Sequence, residues 1–273
     1  MIAGLVLLIG GTAAGVFGSL LGLGGGILIV PLLTLGLGLP LREAVAVSLV
    51  SVIVTSSAAA GVYLERHVAN LRLGMVLELF SASGALVGGL IAFLLSERML
   101  AGLFAALLIY VAVTMIRRKD AAVGAASPAT TGEGAAQPRT FTDSLSGPGY
   151  RVHHLPTGMA GSVVAGLVSA LLGVGGGIVK VPTMHLVMGV PMKVATATSN
   201  MMIGITATSS AVIYLLRGQI DPFVAGPTAL GVFAGAMIGT RIAHRVDTRI
   251  LRFLFVAVLL YTAFEMTRKA LAL

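Results

Sequence analysis

The sequence predicts an all-α polytopic membrane protein: two homologous repeats, about 8 to 10 transmembrane helices, and a glycine-broken helix in each repeat. Three observations carry that prediction. Of 273 residues, 57% are hydrophobic and only 10% charged, against about a quarter charged in ordinary soluble domains. Uncharged apolar windows recur along the whole chain. The second half realigns on the first at a fixed offset of 151 residues.

Apolar windows of about 18 or more residues, long enough to cross a bilayer, lie near 1–22, 44–64, 79–96, 99–116, 155–173, 194–216, 222–240 and 250–266, uncharged except for Arg252 and Glu265 in the last. The first has no basic stretch before it, so it is expected to stay as a membrane helix rather than be cleaved. Two shorter apolar pieces, 27–39 and 178–190, follow glycine clusters. Between the halves, composition turns to Gly, Ser, Thr, Pro and charge without apolar periodicity, which reads as a flexible linker. The expected organisation is a first transmembrane repeat at 1–118, a hydrophilic linker at 119–153 and a second repeat at 154–273.

Residues 15–48 and 166–199 align without gaps, with 16 of 34 positions identical. The same offset carries Gly84 onto Gly235, Arg98 onto Arg249 and Tyr110 onto Tyr261, so the repeat spans each half. Loop charges suggest how the halves are oriented. In the first half Arg66, Arg72 and Arg117 to Lys119 sit two crossings apart, and the Arg42-Glu43 and Glu97-Arg98 loops are neutral. In the second half the basic residues Arg241, Arg245, Arg249 and Arg252 gather on the other set of loops. That swap favours inverted repeats, which need an odd number of crossings per half. They are obtained if each glycine-interrupted segment is a pair of short helices. A single crossing there gives eight spans and parallel halves.

Both interrupted segments carry G-x-G-G-G-I-x-x-V-P, with Gly24, Gly25 and Gly26 in the first and Gly175, Gly176 and Gly177 in the second. Each interior glycine weakens a helix by about 1 kcal/mol relative to alanine, so the cluster should unwind it. Unpaired backbone groups are tolerated in a membrane only when enclosed by protein or facing a wet cavity. Glycine amides can converge on an anion, and paired interruptions of this kind point to a transporter's midplane site.

The duplicated motif, the number of spans and the central hydrophilic linker resemble the TauE/SafE family of sulfite exporters, also called the four-toluene-sulfonate uptake or DUF81 family. The resemblance covers the chain outside the linker. It implies a multi-pass inner-membrane transporter whose partner is a small sulfur-containing anion, sulfite or an organosulfonate.

Further candidates follow from the residues. Lys180 stands where the first half has Ile29; a lysine inside a membrane segment is costly to insert and faces a cavity by default. An ammonium beside glycine nests suits a sulfur oxyanion. His185 could donate to the anion or relay a proton. Ser48, its repeat partner Ser199 and Asn200 offer neutral donors. Glu78, with Ala229 at its repeat position, is a candidate for carrying a coupling proton. Tyr63 and Tyr214 are expected in an interfacial belt. Arg42 and Lys193 could draw anions to the entrance, or simply orient loops.

Several function classes are excluded or disfavoured. The formal charge of +8 is scattered through short loops, so no nucleic-acid partner is expected. No cysteine is present, which removes disulfides, thiolate metal sites and iron–sulfur clusters, and no cofactor is expected. The chain lacks a phosphate-binding G-x-x-x-x-G-K-[ST] loop and the H-E-x-x-H and G-x-S-x-G motifs, so neither an ATP motor nor an intramembrane enzyme is favoured. The reading is a secondary transporter exporting the anion by alternating access, with an anion channel or an uptake permease as alternatives.

Overall fold

The computed structural model describes residues 2–21, 26–65, 68–117, 145–147, 149–242 and 248–272. Ten helices run through these residues and no strand occurs among them. In chain order they are α1 (Ile2–Leu21), α2 (Gly26–Pro31), α3 (Leu41–Glu65), α4 (Leu71–Leu94), α5 (Glu97–Arg117), α6 (Leu155–Leu172), α7 (Gly177–Pro182), α8 (Met192–Leu216), α9 (Pro222–Ile242) and α10 (Thr248–Ala272). Each short helix continues into a π-helical turn, α2 into Leu32–Gly36 and α7 into Thr183–Val187. Six of the helices, α3 to α6, α8 and α9, are long and apolar enough to cross a bilayer. Their outward faces carry large apolar side chains such as Leu79, Leu94 and Phe223, as expected where lipid replaces water as the neighbour.

Apolar windows locate most helix ends closely, apart from the end of α10, which runs to Ala272 rather than 266, and the start of α4. Helix α4 starts at Leu71 rather than near 79, because Arg72 and Glu78 interrupt hydropathy without interrupting a helical backbone. Its first turn is fixed by Asn70, whose side chain accepts from the Leu73 amide at 3.0 Å.

The long helices pack in pairs drawn from opposite halves: α1 against α9, α4 against α6, α3 against α8, and α5 against α10. Glycine makes the closest of these approaches possible. A Cβ on Gly15 would overlap the Val232 carbonyl, and one on Gly235 would overlap that of Thr12. Across the other pair, Gly166 and Gly84 stand in the same relation to Ser81 and Val163.

The short helices fold back on the long helices before them. Gly10 of α1 meets Leu32, and along α6 Gly161 meets Thr183 while Gly158 meets Met188. Numbers fall on one strand of this hairpin as they rise on the other, so α7 and its π-turn return antiparallel to α6.

Residues 145–147 and 149–152, toward the end of the hydrophilic stretch, are docked. Leu145 and Val152 are buried in a cluster with Leu73, Leu77, Met188 and Met202. Asn70 Nδ2 donates to the Leu145 carbonyl and to the Tyr150 hydroxyl, both at 2.7 Å. Burial pushes the Tyr150 phenol above its usual value, and the Asn70 bond opposes the shift. Residues 119–144 and 148 of the expected flexible linker lie outside the described residues.

Candidate functional site

The second glycine break is an unwound reversal between α6 and α7. Gly173, Gly175 and Gly176 hold φ of +69°, +82° and +74°, the left-handed region that side chains with a Cβ disfavour. Gly173 closes α6 as its C-cap, donating to the Ser169 carbonyl at 2.8 Å. Gly176 packs so closely on α6 that a Cβ would lie 2.7 Å from the Ala165 carbonyl.

This reversal touches the first break directly. A Cβ on Gly26 would stand 2.7 Å from the Gly173 carbonyl oxygen, so the two main chains are in contact. Ser48, fully buried on α3, lies over the junction: its Oγ is 2.7 Å from the Gly173 carbonyl and 3.1 Å from that of Gly26. Gly24 and Gly25 lie outside the described residues. Gly177 sits across from Ser199 and Ile203 of α8.

Ser199 is bonded differently from its repeat partner. It is 1% exposed, and among the described residues its Oγ has no hydrogen-bond partner. Ser169, beside Gly176, is equally buried and equally unpaired. A buried hydroxyl left unpaired costs about 1 to 3 kcal/mol. Two of them flanking one glycine reversal mark a place with spare hydrogen-bonding capacity for a polar guest.

Lys180 is 2% exposed. Its ammonium donates to Glu78 Oε2 of α4 at 3.0 Å and to Thr206 Oγ1 of α8 at 2.5 Å. Thr206 in turn donates to the other carboxylate oxygen, Oε1, at 2.7 Å, and the Ser81 hydroxyl lies 3.0 Å from Thr206. The result is a closed polar ring across three helices, with side-chain exposures of 1% for Lys180 and 6% for Glu78. Glu78 is therefore an interior residue rather than a hydrated one near the surface, and Lys180 does not snorkel to an interface.

Other sequence candidates fall elsewhere. His185 is exposed in the π-turn at the far end of the hairpin, its Nδ1 2.9 Å from the Val190 carbonyl. Asn200 is half-buried, and its recorded contact is through its main-chain carbonyl, which accepts from Ser56. Tyr214 is a correction: it is fully buried rather than interfacial, donates to the Ala170 carbonyl at 3.0 Å and packs on the Phe93 ring. The side chain of Tyr63 lies outside the described residues. Arg42 donates to the Ala92 and Leu95 carbonyls at the end of α4, where a cation satisfies orphan acceptors and the helix dipole.

An all-helical bundle with two touching glycine breaks and a buried ion pair invites comparison with known transporters. Residues 7–266 match the family described as "Sulfite exporter TauE/SafE". The chain belongs to this family. Among relatives, "Probable membrane transporter protein YunE" of Bacillus subtilis (strain 168) is 27% identical over 252 residues, covering 89% of this chain and 90% of YunE. "Probable membrane transporter protein MamO" of Paramagnetospirillum magneticum (strain ATCC 700264 / AMB-1) is 28% identical over 288 residues, covering 97% of this chain but only 44% of MamO. No solved structure matches. The TauE/SafE assignment makes the chain a multi-pass membrane transporter.

Proposed function

We propose that this TauE/SafE protein is a secondary transporter exporting sulfite or a related sulfur-containing organic anion across the cytoplasmic membrane by alternating access. The observation that carries the reading is the contact of the two glycine breaks, Gly26 on Gly173 beneath Ser48. Unwound backbone deep in a bilayer is tolerated only where protein encloses it or a cavity faces it, and paired interruptions are where carriers bind their cargo. The unpaired hydroxyls of Ser199 and Ser169 supply neutral donors, and Lys180 supplies positive charge. An exported dianion gains about 2.3 kcal/mol per charge per 100 mV from a negative-inside potential.

Inverted halves fit the same reading. α1 runs parallel to α9, since contacts pair Gly11 with Thr228, Gly15 with Val232, and Leu8 and Thr12 with Gly231 and Gly235. α4 runs parallel to α6 through Gly84–Val163 and Gly88–Leu167. With α6 and α7 as a re-entrant hairpin and α8 to α10 as successive crossings, α9 runs opposite to α6. Equivalent helices α1 and α6 therefore enter from opposite faces. Each half then makes three full crossings plus one hairpin, which keeps the number odd. The arrangement also gathers Arg72, Arg117, Arg151, Lys193 and Arg241 on one face, the cytoplasmic one.

A thermal-shift screen of the purified protein against sulfite, sulfate, thiosulfate, alkyl sulfonates and sulfoacetate tests the substrate class. Stabilisation by sulfite or a sulfonate, rising with concentration by mass action, is the expected result. A shift with chloride or phosphate equal to that with every sulfur anion contradicts it.

A further inference from the structure

We propose that Glu78 is a protonatable counter-ion: a proton bound at its carboxylate releases the Lys180 ammonium to the transported anion, so that one proton moves with each anion. This rests on the anion-transport reading above and extends it to proton coupling: a dianion leaving with one proton still carries one net negative charge outward, which a negative-inside potential favours. The ring leaves no free charge for a substrate. Lys180 is engaged by Glu78 Oε2 and Thr206, and Glu78 Oε1 by Thr206. An incoming anion would compete with a carboxylate 3.0 Å from the ammonium and be repelled by it. Neutralising Glu78 removes both obstacles and leaves a protonated carboxyl that can itself donate a hydrogen bond.

Location joins the ring to the glycine breaks. Lys180 stands on the first turn after Gly177, and helical side chains lean toward the N-terminus, here toward the reversal. Thr206 lies one turn along α8 from Ile203, the residue packed on Gly175 and Gly177. Thr206 touches both charges, and its hydroxyl can follow the proton while Lys180 changes partner.

The protein contains its own control for a purely structural role. At the positions 151 residues away, Lys180 becomes Ile29, Glu78 becomes Ala229 and Ser81 becomes Val232, with threonine kept as Thr55. Ile29, Val232 and Ala229 are buried, and α2 and α9 pack on α3 as α7 and α4 pack on α8. The same corner of the fold thus closes with apolar contacts. Buried ion pairs seldom add stability over well-packed apolar residues, so the packing itself does not call for charge at Lys180 and Glu78.

The charge balance is simple. A proton from the aqueous side occupied by the site adds to a Glu78 carboxylate oxygen, Lys180 stays protonated, and the anion takes the place of the carboxylate charge. On release the proton returns to water and the pair re-forms. The neighbouring elements add no competing group: α6 has no charged residue, Arg72, Lys193 and Arg217 sit at helix ends, and His185 is exposed. Among the described residues the ion pair of Glu78 is with Lys180.

Methanesulfonate, whose charge is constant over the working range, separates protonation of the protein from that of the ligand. In liposomes containing the full-length protein, its affinity should tighten by about tenfold for each unit of pH decrease, as one linked proton requires. Glu78→Gln should bind at the wild-type low-pH affinity with no pH slope, and should exchange the anion without accumulating it in response to an imposed pH gradient. The neutral pair Glu78→Gln with Lys180→Met should insert and melt like wild type yet lose binding. Equal pH slopes in wild type and Glu78→Gln would overturn the proposal while leaving the transport reading intact, as would a wild type that binds without any slope. Failure of wild type to bind either methanesulfonate or sulfite at any pH would overturn both.

Discussion

Ser48 and Ser199 occupy equivalent places in the repeat but differ in partners, and that difference makes opposite predictions. Ser48 bonds to the carbonyls of both breaks. Ser48→Ala should therefore lower stability by about 1 kcal/mol, the usual range for one interior hydrogen bond, visible as a lower melting temperature in detergent. Ser199 has no partner among the described residues, so Ser199→Ala should leave the melting temperature of the anion-free protein unchanged or raise it, while weakening the stabilisation that an anion confers. For the ion pair, Lys180→Met alone leaves a buried carboxylate without its cation, expected to cost about 3 to 5 kcal/mol. Adding Glu78→Ala should recover most of that loss. Lys180 was legible in the sequence as a charge with no place in lipid. Glu78 was legible as an intramembrane carboxyl but not as the partner of Lys180, since it lies 102 positions away on the other half. Only the packing of α4 on α8 and α6 brings the two together.

Among the helices, hydropathy located nearly every long element because each must present about 20 apolar residues to the bilayer. It misplaced the start of α4, where a capping asparagine and two charged residues carry the helix beyond the uncharged window. It also gave no sign that residues 145–147 and 149–152 dock, since Leu145, Tyr150 and Val152 are three apolar contacts in a polar stretch. The glycine clusters were legible as breaks, and the structure adds that the second is a tight reversal. Gly176→Ala should be poorly tolerated, because a Cβ meets both a left-handed backbone and the Ala165 carbonyl. Gly84→Leu should separate α4 from α6 at the Val163 carbonyl. Each should cost about 1 to 3 kcal/mol or more, read as loss of the monodisperse peak on size exclusion. Alanine at Gly102, where a Cβ meets nothing within 4 Å, should be neutral in the same assay.

For the whole molecule, the repeat was visible as 16 identities in 34 positions, but identity says nothing of direction. The parallel runs of α1 with α9 and of α4 with α6 support the inverted arrangement proposed above. Absence of native cysteine makes it directly measurable: an impermeant thiol reagent should label Ser127→Cys in the linker and Leu273→Cys at the C-terminus from opposite faces of the membrane. Labelling from one face would require parallel halves. The most direct measurement is flux. Liposomes containing the wild-type protein should take up radiolabelled sulfite or methanesulfonate with saturation, and empty liposomes should not. Correctly inserted wild-type protein that moves neither anion faster than empty liposomes would contradict transport of sulfur anions through the paired glycine breaks.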